Sequence, residues 1–213
     1  MFKTKCFNPR RDKILLRAVA CAISVYLAFS CTYFAGAAES VRQDVVRLHI
    51  LANSDSAVDQ ELKIKVRDAL LTKNTLLLTQ GVTREKAVEY FELSRDELLE
   101  TARNVIAENG FNYDVRMYID EEYFETRQYG DMTFPAGEYT ALKVIIGEGE
   151  GKNWWCVMFP PLCVPAADDV EIKNTTDEYL TESGNKIVNG GNKYIVKFKL
   201  LEIYEEMKNK IIL

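Results

Sequence analysis

A chain of 213 residues with 47% apolar and 28% charged side chains has the length and mixture to bury a core, which excludes wholesale disorder. Its net charge of -5 is unevenly spread, because residues 1–37 carry Lys3, Lys5, Arg10, Arg11, Lys13 and Arg17 against the single acid Asp12. The remainder therefore holds a net charge of about -10, which repels phosphate and excludes nucleic acid as a partner.

Charge disappears after Arg17 and returns at Glu39. Roughly 20 uncharged residues behind a basic stretch have the length of a membrane span. They end on Ala35-Gly36-Ala37-Ala38, small residues of the kind that close a secretory signal. Residues 1–38 thus read as a signal peptide or an N-terminal anchor, the latter touching the membrane through residues 18–38. Either way the bases stay inside and the chain from about residue 39 lies outside. Cys31 follows Phe29 and Ser30, which fit a lipidation site poorly. Of five cysteines, three (Cys6, Cys21, Cys31) fall in this segment, leaving Cys156 and Cys163 outside. In an oxidising compartment they suit a disulfide closing a short loop; as thiols they suit small core hydrophobes.

Residues 45–51 predict a strand. Asn53-Ser54-Asp55-Ser56 predicts a turn ending in a helix N-cap, with Asp59 at the capping-box position. Beyond it, Val58, Leu62, Val66, Ala69 and Leu70 form a helical stripe, and Asp59–Lys63 and Glu61–Lys65 are spaced as i,i+4 pairs. Gly81 breaks this helix and Thr83 starts another, whose apolar face runs from Ala87 to Ile106 and ends at Asn109-Gly110. Strands follow at 113–118, 123–129 and 139–146, then the glycine-rich turn 147–151 and a return strand at 153–159. Both faces of that return strand are apolar, as in a central strand or a contact surface. Residues 166–192 mix acids with turn formers and read as a flexible acidic loop. The C-terminal part, 193–213, reads as a strand and short helix packing on the main domain, residues 39–165. The order predicts an α+β fold: a mixed or antiparallel sheet, two consecutive helices on one face and a short C-terminal helix.

Candidate chemistry is sparse. His49, the sole histidine, lacks an evident nucleophile partner; a zinc site from His49, Cys156 and Cys163 lacks a fourth ligand. Neither metal nor cofactor is implied. Gly147-Glu148-Gly149-Glu150-Gly151 lacks the lysine and hydroxyl of a phosphate loop. Trp154-Trp155, followed by Pro160-Pro161, places adjacent indoles on opposite strand faces, and an exposed tryptophan is a typical contact anchor.

The block Val46-Arg47-Leu48-His49-Ile50-Leu51-Ala52-Asn53-Ser54-Asp55-Ser56, with Asp59-Gln60 and residues 63–68, resembles the stage II sporulation protein R family. So do Phe134-Pro135-Ala136-Gly137-Glu138-Tyr139, Gly147-Glu148-Gly149 and Asn153-Trp154-Trp155-Cys156 through Pro160-Pro161-Leu162-Cys163. The resemblance spans roughly residues 43–163. It implies a ligand rather than an enzyme: a protein secreted from the forespore into the space between the sporulation membranes. There it would activate a membrane-embedded aspartic protease of the mother-cell membrane, stage II sporulation protein GA, to process the sigma-E precursor. On this reading Trp154, Trp155, Pro160 and Pro161 are the expected partner contacts, with Asn53, Ser54 and Asp55 second. The competing expectation is an exported cell-wall-binding protein using Trp155 as a stacking platform, or a hydrolase pairing His49 with Asp55.

Overall fold

The computed structural model describes residues 9–74, 82–163, 176–190 and 193–212. The chain opens with one long helix, α1 (Pro9–Asp44), about 54 Å long at 1.5 Å per residue. Its two parts differ. Ile14, Leu16, Ile23, Tyr26 and Phe29 stand exposed, whereas Phe34, Ala37, Ala38 and Val41 are buried. Their spacing of three and four puts them on one stripe, facing the domain. The segment that reads as a separable signal therefore shares its last residues with the globular core.

Strand β1 (Val46–Leu51) follows after a single residue and is buried along nearly its whole length. It lies inside a four-stranded mixed sheet of order β2-β5-β1-β6. Here β2 is Val115–Phe124, β5 is Gly137–Ile146 and β6 is Asn153–Phe159. β1 runs parallel to β5 and antiparallel to β6. The return strand β6 is thus an edge strand, and its apolar faces come from cover on both sides. Two strands expected at 113–118 and 123–129 are largely one, since β2 pairs with β5 from Val115↔Ile146 to Phe124↔Gly137. The reversal comes later, in the hairpin of β3 (Arg127–Tyr129) and β4 (Met132–Phe134), where Gly130 has φ +55°.

Three helices cover the first face. α2 (Ala57–Asn74) begins as its cap predicts, with the Asp59 amide donating to Ser56 Oγ at 3.2 Å. It buries Leu62, Val66 and Leu70, while Val58 stays exposed. The pair Glu61–Lys65 forms at 2.8 Å; Lys63 instead donates to the Lys152 carbonyl and Gln60. Gly81 lies outside the described residues. The long periodic stretch after Thr83 is two helices, α3 (Arg84–Leu93) and α4 (Arg95–Glu108). Ser94 interrupts them because its φ/ψ of -91°/4° leaves the helical region. Gly110, at φ +83°, closes α4 in the left-handed conformation. Phe91, Leu98, Ala102 and Ile106 pack here with Leu48, Ile50, Val144 and the disulfide pair Cys156–Cys163.

The second face is covered by the end of α1, the β3–β4 hairpin and two C-terminal helices, α5 (Glu182–Val188) and α6 (Ile195–Ile212). Within 166–192, read as a loop, α5 is a capped helix: Thr181 Oγ1 accepts from the Gly184 amide at 3.2 Å, and Ile187 and Val188 are buried. Its polar residues sit at the cap and on the wet side, which is why composition alone resembled a loop. Residues 164–175 lie outside the described residues. Nor is there a strand at 194–201, since α6 is helical throughout.

Phe34 meets Phe198 edge-on at 5.0 Å and Tyr194 at 5.7 Å. Emptying such a site costs about 3 kcal/mol. In the full chain, Phe34→Ala should lose that much stability in denaturant titration, while Phe29→Ala, five residues earlier and 74% exposed, should lose almost none.

Candidate functional site

Strand pairing aligns one side chain from each strand in a row across the second face. Tyr118 of β2 opposes Lys143 of β5, Lys143 opposes His49 of β1, and His49 opposes Trp155 of β6. Side chains of directly paired residues point to the same face, so the row is a consequence of register. In the neighbouring row Ala141, Arg47 and Val157 are buried, and only Asp120 at its β2 end is exposed. On the other side, Arg116 and Asn153 are exposed and Ile145 and Leu51 half-buried. The covering layer therefore thins along the Tyr118–Trp155 row, where Tyr118 is 46% exposed, Lys143 and Trp155 are half-buried and His49 is still buried.

A polar network holds this boundary. His49 Nδ1 donates to Glu122 Oε2 at 2.8 Å, since a carboxylate can only accept. Lys143 Nζ donates to the other oxygen at 2.7 Å. His49 Nε2 lies 2.9 Å from Asn153 Oδ1, which suits an imidazolium; rotating the amide by 180° lets a neutral ring accept from its NH2 instead. The network thus accommodates either state of the ring. Burial raises the Glu122 carboxyl, but the bonds from His49 and Lys143 outweigh it and hold the group below the usual carboxylate range. The Trp155 ring stacks on His49 at 3.6 Å and meets the edge of Phe124 at 4.7 Å.

Beneath the cover, Arg47 is fully buried in a cage of aromatic rings. Its Cζ lies 4.5 Å from the Phe124 centroid, 5.1 Å from Tyr139, 5.6 Å from Tyr129 and 5.7 Å from Phe134. Ring faces offset part of the cost of burying a cation. Arg47 Nη2 donates to the Tyr129 hydroxyl at 2.8 Å, which in turn donates to the Trp155 carbonyl at 3.1 Å. This relay ties the β3–β4 hairpin to edge strand β6 and occupies a backbone acceptor that would otherwise invite strand pairing.

The expected contact residues are dispersed. Trp154 turns to the helical face, under the Arg67 guanidinium at 4.4 Å, and Trp155 alone joins the open row. Pro160 is buried and Pro161 half-buried at the far end of β6. Asn53, Ser54 and Asp55 lie at the rim, and much of their polarity is internal. Asn53 and Ser54 donate to Asp59, Asn53 Oδ1 accepts from the Glu148 amide, and Asp55 accepts from the Lys152 amide at 2.7 Å. They anchor the turn 147–151, in which Gly147 and Gly149 have φ +58° and +71°. His49 and Asp55 are spent on different partners, so a catalytic pair is not assembled. Sequence reasoning missed Tyr118, Lys143, Glu122 and Arg47, because their meeting depends on pairing between distant strands.

The depressed Glu122 group contributes stability that is present above the usual carboxylate range and lost as pH falls through its folded value. The stability gap between wild type and Glu122→Gln, measured in urea, should be widest near neutral pH and narrow below about pH 4. A gap independent of pH would contradict the network.

The family model for stage II sporulation protein R matches residues 42–169, which include the whole sheet and the three helices on its first face. Stage II sporulation protein R of Bacillus subtilis (strain 168) is 39% identical over 123 residues, covering 58% of this chain and 55% of that protein. The match thus spans about half the length of this curated relative. No solved structure matches.

Proposed function

Because the chain belongs to the stage II sporulation protein R family, we propose that it is an exported sporulation signal. On this reading its domain activates a membrane-embedded aspartic protease, stage II sporulation protein GA, which processes the sigma-E precursor in the mother cell. The chain leaves the forespore through α1, whose apolar window meets the length and composition of a membrane span. The observation that carries the reading is the partly uncovered row Tyr118–Lys143–His49–Trp155, an aromatic and charged surface backed by the sheet. In it Tyr118 is exposed, Lys143 and Trp155 are half-buried and His49 lies beneath them. Rigid aromatic anchors beside satisfied polar groups suit recognition of a protein surface. An activator acts by binding the active arrangement of its target more tightly than the inactive one. The partner contacts are therefore Trp155 and Tyr118, with Asn53, Ser54 and Asp55 at the rim; Trp154 and the Pro160-Pro161 turn support the strand that carries them.

A hydrolase reading needs a nucleophile beside His49, and both ring nitrogens already face Glu122 and Asn153. A wall-polymer platform needs a broad free indole face, whereas the half-buried Trp155 ring has one face on His49 and a T-shaped contact with Phe124 at 4.7 Å.

The test is reconstitution in a non-sporulating host that produces the protease, the sigma-E precursor and this chain. Tyr118→Glu and Trp155→Ala should each cut processing by roughly tenfold or more, the effect of a contact residue worth about 1.4 kcal/mol or more. Leu93→Ala, on the exposed end of α3, should leave processing intact. Unchanged processing by Tyr118→Glu, with its melting temperature preserved, would reject the assignment of this face.

A further inference from the structure

α1 and α6 run side by side in the same direction. Lys197 Nζ donates to Ser30 Oγ at 2.7 Å, Phe198 packs on Phe34, and Glu205 pairs with Arg42 at 3.4 Å. Positions 198 and 205 of α6 thus sit roughly level with 34 and 42 of α1, and the long Lys197 side chain reaches down from there to Ser30. The residues that begin α6, Ile195 and Val196, lie between the levels of Ser30 and Phe34, since Tyr194 before them and Phe198 after them both touch Phe34, and they are 60% and 71% exposed.

That level falls within the apolar segment. A hydrocarbon core of about 30 Å takes roughly 20 helical residues. If the span begins at Ile14, where exposed apolar residues start, it ends near Tyr33. If it begins after Arg17, it ends near Ala37. Both registers place Ile195 and Val196 at the outer boundary of the bilayer or just inside it. α1 is one unbroken helix from Pro9 to Asp44, so no hinge within it separates the spanning part from the docked part. Nor is the spanning part easily shed: cutting after Ala38 would remove Phe34, Ala37 and Ala38 from the second core.

We propose that α1 is retained as an anchor and that the first turn of α6 rests in the outer surface of the same bilayer, fixing the domain's orientation on the membrane. The occupant of this surface is lipid. Ile195 and Val196 supply apolar contact, Tyr194 sits at the depth favoured by interfacial aromatic rings, and Lys197 extends along the rings of Phe34 and Tyr194 at 5.9 and 5.4 Å. The stripe continues outward through Leu200, Tyr204 and Met207, exposed at 52% to 59%, but these rise away from the membrane alongside Arg42. The inference shares with the proposed function only the placement of α1 in a membrane; it does not depend on which protein the open face binds.

The test uses the full chain with Cys6, Cys21 and Cys31 replaced by Ser and the Cys156–Cys163 bridge left oxidised. One cysteine is introduced at a time, Val196→Cys, Met207→Cys or Tyr26→Cys, and labelled with an environment-sensitive fluorophore. The protein is then placed in phosphatidylcholine–phosphatidylglycerol vesicles, with and without lipids brominated on their acyl chains. Probes at positions 26 and 196 should be blue-shifted and quenched, with about twofold or greater loss at 196 relative to 207. Quenching at 26 but not at 196 would overturn the membrane seat while leaving the anchor intact. Equal quenching at 196 and 207 would overturn it too, because α6 would then lie flat. No quenching at 26 would remove the anchor itself.

Discussion

A six-residue strand must be buried on both faces while presenting a guanidinium and an imidazole on one of them, and the rest of the structure answers to that. β1 satisfies its first face with Val46, Leu48 and Ile50, which need only apolar partners from α2, α3 and α4. On its second face, Arg47 and His49 cannot be packed against apolar side chains alone, since a buried charge or unpaired ring nitrogen costs several kcal/mol. The chain resolves the two differently. Arg47 receives aromatic faces and one hydroxyl; His49 receives a carboxylate, an amide and a stacked indole. Both groups are buried, but Arg47 lies under the covering layer itself, whereas His49 is covered by neighbours, Trp155 and Lys143, that are themselves half-exposed. That difference sets where the covering layer ends and hence where the open surface begins.

The same layer links the domain to the apolar N-terminal helix. The stripe from Phe34 to Val41 is a structural part of the second core, meeting α5 and α6. Close approach there relies on small residues: a Cβ on Gly184 would lie 2.9 Å from a Val41 methyl. Ala37 and Ala38, which resemble the exit of a signal peptide, are therefore also nearly inaccessible core positions.

Local features were legible in the sequence wherever their cause is local. The Ser56 cap, the left-handed Gly110, the glycine turn after β5 and strand β1 follow from residue chemistry within a few positions. The class of fold was legible too, because helical and strand periodicities alternate in a characteristic order. Legibility failed where distant segments decide. Ser94 splits a periodic stretch that looks continuous, and the polar residues around α5 conceal a helix whose Ile187 and Val188 dock on α1. The candidate site was half visible: His49 and Trp155 stood out singly, but Tyr118, Lys143 and Glu122 join them only through the registers of three strand pairs. No spacing rule relates position 49 to 118 or 143.

The central claim is that the open row is the surface another protein recognises. Its most direct test is a photo-crosslinking residue in place of Tyr118, in cells that make both this chain and the protease. The account predicts a crosslinked product containing the protease from position 118 and none from position 93. A product from position 93 alone would contradict it, as would position 118 crosslinking only to cell-wall material.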